Sequence, residues 1–145
     1  MSAQDRALVF DCGGESLIGI LSTPAASARV GVLVVVGGPQ YRVGSHRQFV
    51  SLARHLAARG VPCLRFDYRG MGDASGGARH FLDVSDDIRA ALDAFFAAQP
   101  ALDKVVLWGL CDGASAVCVY PADDARVAGV VILNPWASNT PLGSG

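Results

Sequence analysis

Hydrophobic and polar positions alternate in two rhythms along this chain. Ala7 to Phe10 and Ser16 to Leu21 have strand character, and Cys12-Gly13-Gly14 between them predicts a β-hairpin. Val30 to Val36 is an almost pure Val/Leu run ending in Gly37-Gly38-Pro39, as expected of a strand buried on both faces of a parallel sheet. Phe49, Leu52, Ala53 and Leu56 then recur at helical spacing, with Ser45 as a candidate N-cap and Gly60 as the stop. Val61 to Phe66 reads as a strand with Pro62 near its start, and a glycine-rich polar loop, Asp67 to Gly77, follows it.

Val84, Ile88, Ala91, Leu92 and Phe95 mark a second helix, acidic in its first turn and ending before Pro100. Lys104 to Leu110 is the next strand, Asp112 to Val119 the next helix, and Val127 to Leu133 the last strand, before Asn134-Pro135-Trp136. Two opening strands followed by strand–helix alternation predict an α/β domain on a mostly parallel sheet with flanking helices. Ligands of such sheets bind beyond the carboxyl ends of the strands. The loops after Val36, after Phe66 and after Leu110 are therefore expected on one rim.

Composition narrows the field of functions. The chain has 145 residues, enough for one domain with a core, and is 51% hydrophobic and 17% charged. A net charge of −1 with interspersed signs gives no basic stripe for nucleic acid. The longest apolar stretch, near Val30 to Gly38, is far short of the ~20 residues of a membrane span. Cys12, Cys63, Cys111 and Cys118 form no C-x-x-C pair and no zinc-ligand spacing, so no metal is expected. Free thiols and an N-terminus without a signal-peptide layout point to the cytoplasm. Gly70, Gly72 and Gly76 do not make G-x-G-x-x-G, and no cofactor is expected.

Gly109-Leu110-Cys111-Asp112-Gly113, between a strong strand and a small-residue helix, has the form G-x-Nuc-x-G of a nucleophile elbow with cysteine in place of serine. In so tight a turn, side chains at 109 and 113 would collide with neighbouring backbone, and the nucleophile is pushed out at the rim. A helix N-terminus favours a thiolate there, and the N–H of Asp112 faces the position of an oxyanion. A small buried cysteine in a glycine-bearing turn is the alternative; the strand before and the helix after favour the elbow. A second oxyanion donor belongs to the loop after the third strand. Pro39 has no N–H, so Gln40 is expected to serve, with Gly38 next, unless Gly-Gly-Pro is only a strand-ending turn.

Arg42, His46 and Arg47 lie just beyond; Arg42 and Arg47 are candidates for binding an anionic substrate group, with a solvated loop as the alternative. Asp67 and Arg69 are expected to brace the next rim loop. His55 reads as a surface or satisfied helical histidine and His80 as a loop residue. Cys12, Cys63 and Cys118 are expected to be packing residues.

Gly37 to Phe49, Leu64 to Asp73 (with D-x-R-G-x-G), Gly109 to Ser115 and Leu133 to Trp136 together resemble the α/β-hydrolase superfamily. More narrowly, the chain resembles the exosortase A system-associated hydrolase 1 group, over nearly its whole length. That resemblance implies a bacterial protein encoded near exopolysaccharide and protein-sorting loci. It also implies a hydrolase of small acyl or ester substrates, with Cys111 at the nucleophile position.

In the superfamily the catalytic acid and histidine follow the sixth strand, yet no acid or histidine lies downstream of Leu133 here, and Asp123 and Asp124 precede it. The expectation is a single incomplete α/β-hydrolase domain over 1–145, with a core at 1–136 and a tail at 137–145, truncated after about the sixth strand and inactive alone. Three functions stay open: an ester or thioester hydrolase, an acyltransferase, and a catalytically silent binding module. A redox-sensing cysteine lacks a resolving partner. The hydrophobic last strand is expected to expose an edge and promote self-association.

Overall fold

A computed structural model describes residues 4–26, 28–36, 48–68, 84–110 and 112–133. The chain opens with strands β1 (Gln4–Cys12) and β2 (Glu15–Thr23), paired antiparallel with Cys12 opposite Glu15. Gly13 and Gly14 between them have φ of 58° and 83°. Two consecutive left-handed residues form the tight turn whose twist matches a hairpin, and glycine adopts them without steric cost. Both strands run longer than their hydrophobic cores predict, because Gln4, Asp5 and Arg6 pair with Thr23, Ser22 and Leu21. Pairing, not hydrophobicity, extends them.

β3 (Val30–Val36) follows as expected, with Leu33, Val34 and Val35 fully buried. Helix α1 (Gln48–Ala58) buries Phe49, Val50, Ala53 and Ala57. It ends where Gly60 turns to φ 91°; the Gly60 N–H donates to the Ala57 carbonyl (3.1 Å) and the Val61 N–H to that of Leu56 (2.8 Å). This pair of bonds satisfies the last carbonyls of the helix. The candidate N-cap Ser45 lies outside the described residues.

β4 (Cys63–Asp67) starts two residues later than the hydrophobic run. Pro62 has no N–H to give a ladder, and only its carbonyl is used, accepting from the Val32 N–H at 3.0 Å. α2 (Ser85–Ala98), β5 (Lys104–Leu110), α3 (Asp112–Val119) and β6 (Val127–Leu133) complete the described chain.

The six strands form one sheet in the order β1-β2-β4-β3-β5-β6. β2 meets β4 antiparallel, whereas β3 pairs parallel with β4 and β5, and β5 parallel with β6. This is the mostly parallel α/β sheet expected from the sequence.

Strand alternation sorts the core into two layers. Leu33, Val35, Leu64, Phe66, Val105 and Leu107 face α2 and α3, meeting Ile88, Leu92, Phe95, Ala116 and Val117. Val34 and Cys63 face the other way, onto Phe49 and Ala53 of α1.

The two outer strands differ in character. β1 carries Asp5, Arg6 and Asp11, charges that discourage edge-to-edge pairing. β6 carries none, and Val130, Val131, Ile132 and Leu133 remain 37–47% exposed. Beside it, Leu107, Val117, Tyr120, Val130 and Ile132 line an open groove of about 350 Å³. Among the described residues no helix is long and apolar enough to cross a membrane.

Candidate active site

Four parallel strands end on one rim. Val36 at the end of β3 stands opposite Asp67 at the end of β4; Val35 stands opposite Gly109, and Leu110 opposite Leu133. The segments carrying every candidate site residue therefore leave the sheet from the same side, as predicted for a ligand site of this architecture.

At the centre of the rim, one residue separates the last residue of β5, Leu110, from the first of α3, Asp112. A β-carbon built on Gly109 would lie 2.5 Å from the Gly113 carbonyl carbon and 2.6 Å from the Ala114 nitrogen. No side chain tolerates such distances, and both obstacles are backbone. Strand and helix are folded so sharply about position 111 that only glycine fits at 109, the steric condition for a nucleophile elbow.

Packing holds the bend closed. Ala114, Ala116 and Val117 of α3 are buried against the sheet. On the opposite face, Trp108 meets Phe49 edge-on, with ring centroids 5.6 Å apart and planes at 83°. The sequence marked Phe49 as a core position of α1 but gave Trp108 no partner; the one available signal was an aromatic residue on the same strand, three positions before Cys111.

Asp112 opens α3, so its N–H belongs to the first helical turn, where backbone donors have no intrahelical acceptor. Cys111, Gln40, Arg42 and Arg47 lie outside the described residues, as do His46, Arg69 and His80. Asp67, the expected brace of the neighbouring loop, is wholly buried at the end of β4, next to an equally buried Tyr68.

The other titratable candidates resolve individually. His55 is exposed on α1, a surface histidine. Cys12 and Cys63 are buried and in no disulfide, and burial pushes the Cys63 thiol up to about 12, against a smaller opposing pull from the Arg65 charge. Such a thiol is inert at neutral pH. Cys118 departs from expectation: it is free and exposed, because α3 buries residues 113–117 and turns 118 outward at its end. Its role is not core packing.

Away from the rim, Asp124 organises the turn between α3 and β6. Arg126 donates to it through Nε (3.0 Å) and Nη2 (2.9 Å), and Tyr120 through its hydroxyl (2.5 Å). Arg126 also reaches Asp93 of α2 at 2.5 Å and lies over the Phe96 ring. The Arg126 hydrogen bonds, opposed by burial and reinforced by Tyr120, hold the Asp124 carboxyl well below the usual carboxylate range.

Comparison with known proteins agrees with this geometry. The quorum-quenching protein AidA of Acinetobacter baumannii is 30% identical over 134 residues, covering 88% of this chain and 42% of AidA. The polyketide transferase grgF of a Penicillium species is 28% identical over 119 residues, covering 79% of this chain and 40% of grgF. The chain thus spans less than half the length of these relatives. The crystal structure of GrgF superimposes with a TM-score of 0.75 at 25% identity, over 91% of this chain and 46% of GrgF. The Pyrococcus furiosus esterase Pf2001 shares the fold with a TM-score of 0.80 at 17% identity, over 92% of this chain and 53% of the esterase. Residues 28–142 match the family described as Hydrolase_4, serine aminopeptidase S33, and the chain therefore belongs to that family of the α/β-hydrolase superfamily.

Proposed function

We propose that Cys111 is the nucleophile of a hydrolase acting on small ester or thioester substrates. The N–H groups of Asp112 and Gln40 hold the oxyanion, and Arg42 and Arg47 receive an anionic group of the substrate. The observation that carries this reading is the backbone approach of Gly109 to Gly113, the steric condition for a nucleophile elbow at residue 111. The sulfur attacks the carbonyl carbon and the alcohol or thiol leaves with a proton. Water then releases the acid from the thioester and restores the thiol.

Acyl transfer is the second reading, favoured by the likeness to the polyketide transferase grgF. The same thioester would pass its acyl group to an acceptor other than water. The narrower kinship, with the bacterial exosortase A system-associated hydrolase 1 group, rests on residues 37–49 and 109–115. A cytoplasmic setting fits Cys12, Cys63 and Cys118, none of which is in a disulfide. Self-association through the uncharged edge of β6 belongs to the same reading.

Short p-nitrophenyl esters and acyl thioesters test the proposal, with Cys111→Ala as the control. Turnover that vanishes in Cys111→Ala supports it, and added amine, alcohol or thiol acceptors then divide hydrolysis from transfer by their products. Turnover that survives in Cys111→Ala overturns the nucleophile assignment; absence from both proteins, together with a Cys111 labelling midpoint no lower than that of Cys118, overturns it in favour of a silent binding module.

A further inference from the structure

β1 is an outer strand of the described sheet, and its two faces are held differently. On the face toward α2, Leu8 and Phe10 pack against the apolar core, and Arg6 donates to the Ala98 carbonyl at the end of α2 (3.3 Å). Strand alternation turns Asp5, Ala7 and Val9 to the opposite face, the side of the sheet that carries α1. There α1 packs over β4 and β2, and the apolar surface of β1 stays bare: Ala7 is exposed, and Val9 is 71% exposed.

Asp5 breaks that pattern. Arg54 of α1 brings both Nε and Nη2 to its Oδ2, each at 3.0 Å. The Ser22 hydroxyl of β2 donates to the other oxygen, Oδ1, at 2.6 Å, which leaves Oδ2 for the helix. Burial opposes ionisation of Asp5. The hydrogen bonds from Ser22 and Arg54, with the charges of Arg54 and of Arg65 on β4, outweigh it and hold the carboxyl below its usual range. Asp5 is therefore an anion at neutral pH. The contact is also open to dissolved ions, since the Arg54 side chain is 56% exposed and that of Asp5 26%. Apolar packing would be little weakened by salt, whereas an accessible ion pair is screened by it.

We propose that Asp5 and Arg54 form a salt-releasable latch, which fastens the second half of α1 to the outer strand β1. Screening of the pair lets the end of the helix open locally while the sheet beneath it stays folded. β1 remains in place because Leu8 and Phe10 bind it on the α2 side. The latch uses none of the residues assigned to catalysis and is independent of the role of Cys111.

Amide hydrogen exchange tests the latch in the full chain, as salt is raised from about 0.1 M to about 1 M and the screening length shortens from about 10 Å to about 3 Å. The reporters are the amides of Arg59, Gly60 and Val61, which bond to the last carbonyls of α1, read against an unstructured peptide in the same sample. Salt should speed exchange of these amides about twofold or more. Asp5→Asn and Arg54→Gln should show the faster rate already at low salt, with no further response. Asp103→Asn, which removes the exposed partner of Arg29 elsewhere on the surface, should keep the response of the parent protein. Absence of a salt response in the parent, its persistence in Asp5→Asn or Arg54→Gln, or its loss in Asp103→Asn overturns the inference.

Discussion

Gly109 and Gly113 approach so closely across the bend that a β-carbon on the first would stand 2.5 Å from the carbonyl carbon of the second. Neither obstacle at this point is a side chain able to rotate away. Gly109→Ala is therefore expected to destabilise the fold at or above the upper end of the ~1–3 kcal/mol typical of overpacking. Urea denaturation followed by circular dichroism reads this directly. A loss below about 0.5 kcal/mol would mean that the strand–helix junction is looser than described.

A thiol held at the start of α3 should ionise more readily than free cysteine, whose pKa is ~8.5. Iodoacetamide labelling of Cys111, resolved from Cys118 by peptide mass, should show a rate midpoint below that value. Cys118 is exposed at the far end of the same helix and serves as an internal reference. Equal midpoints at the two positions would remove the electrostatic part of the nucleophile proposal.

Asp124 links the turn before β6 to α2 through Arg126 and Asp93. Its carboxyl is held below the ordinary range first by the Arg126 hydrogen bonds, so the folded state favours the ionised form. The stabilisation is complete above the unfolded aspartate value of ~3.9 and fades as the pH falls through the lower folded value. Asp124→Asn should cost ~1.5–3 kcal/mol at pH 7, and its deficit relative to the parent protein should shrink below about pH 4. A deficit constant from pH 7 to pH 2 would contradict the assignment.

At the alkaline end, burial, followed by the hydrogen bond and charge of Asp124, pushes Tyr120 up to about 12. The protonated hydroxyl therefore contributes stability below its unfolded value of ~10, and this is lost as the pH rises toward 12. Tyr120→Phe should flatten that alkaline decline in a melting series. An unchanged slope in the variant would leave the Tyr120–Asp124 bond without energetic consequence.

Among the described residues, β6 is an uncharged outer strand that leaves Val130, Val131, Ile132 and Leu133 exposed. Sedimentation velocity over a concentration series should show self-association, and Val131→Lys should suppress it, because a buried lysine ammonium opposes pairing. A monomer at every concentration in the parent protein would count against an adhesive edge.

Much of this architecture was legible in the sequence because conformation is locally encoded. The runs at Lys104–Leu110 and Val127–Leu133, and the helix at Asp112–Val119, match the observed elements at both ends. The paired glycines at 13 and 14 announced the hairpin, and Gly60 the end of α1. Where boundaries moved, a non-local cause was at hand: β1 grew by pairing with β2, and β4 waited until Pro62 had passed. At the site, the G-x-C-x-G spacing was readable, but how closely Gly109 and Gly113 approach was not.

The order of apolar and polar residues determined which segments became strands and helices, and that Cys111 falls between a strand and a helix. Tertiary structure alone decided that β4 inserts between β2 and β3, that Cys118 faces outward, that Arg126 joins Asp124 to Asp93, and that Phe49 reaches Trp108. Periodicity fixes the direction in which a side chain points relative to its own backbone. Its partner lies on another stretch of chain, and is selected only when the sheet order and register bring the two together.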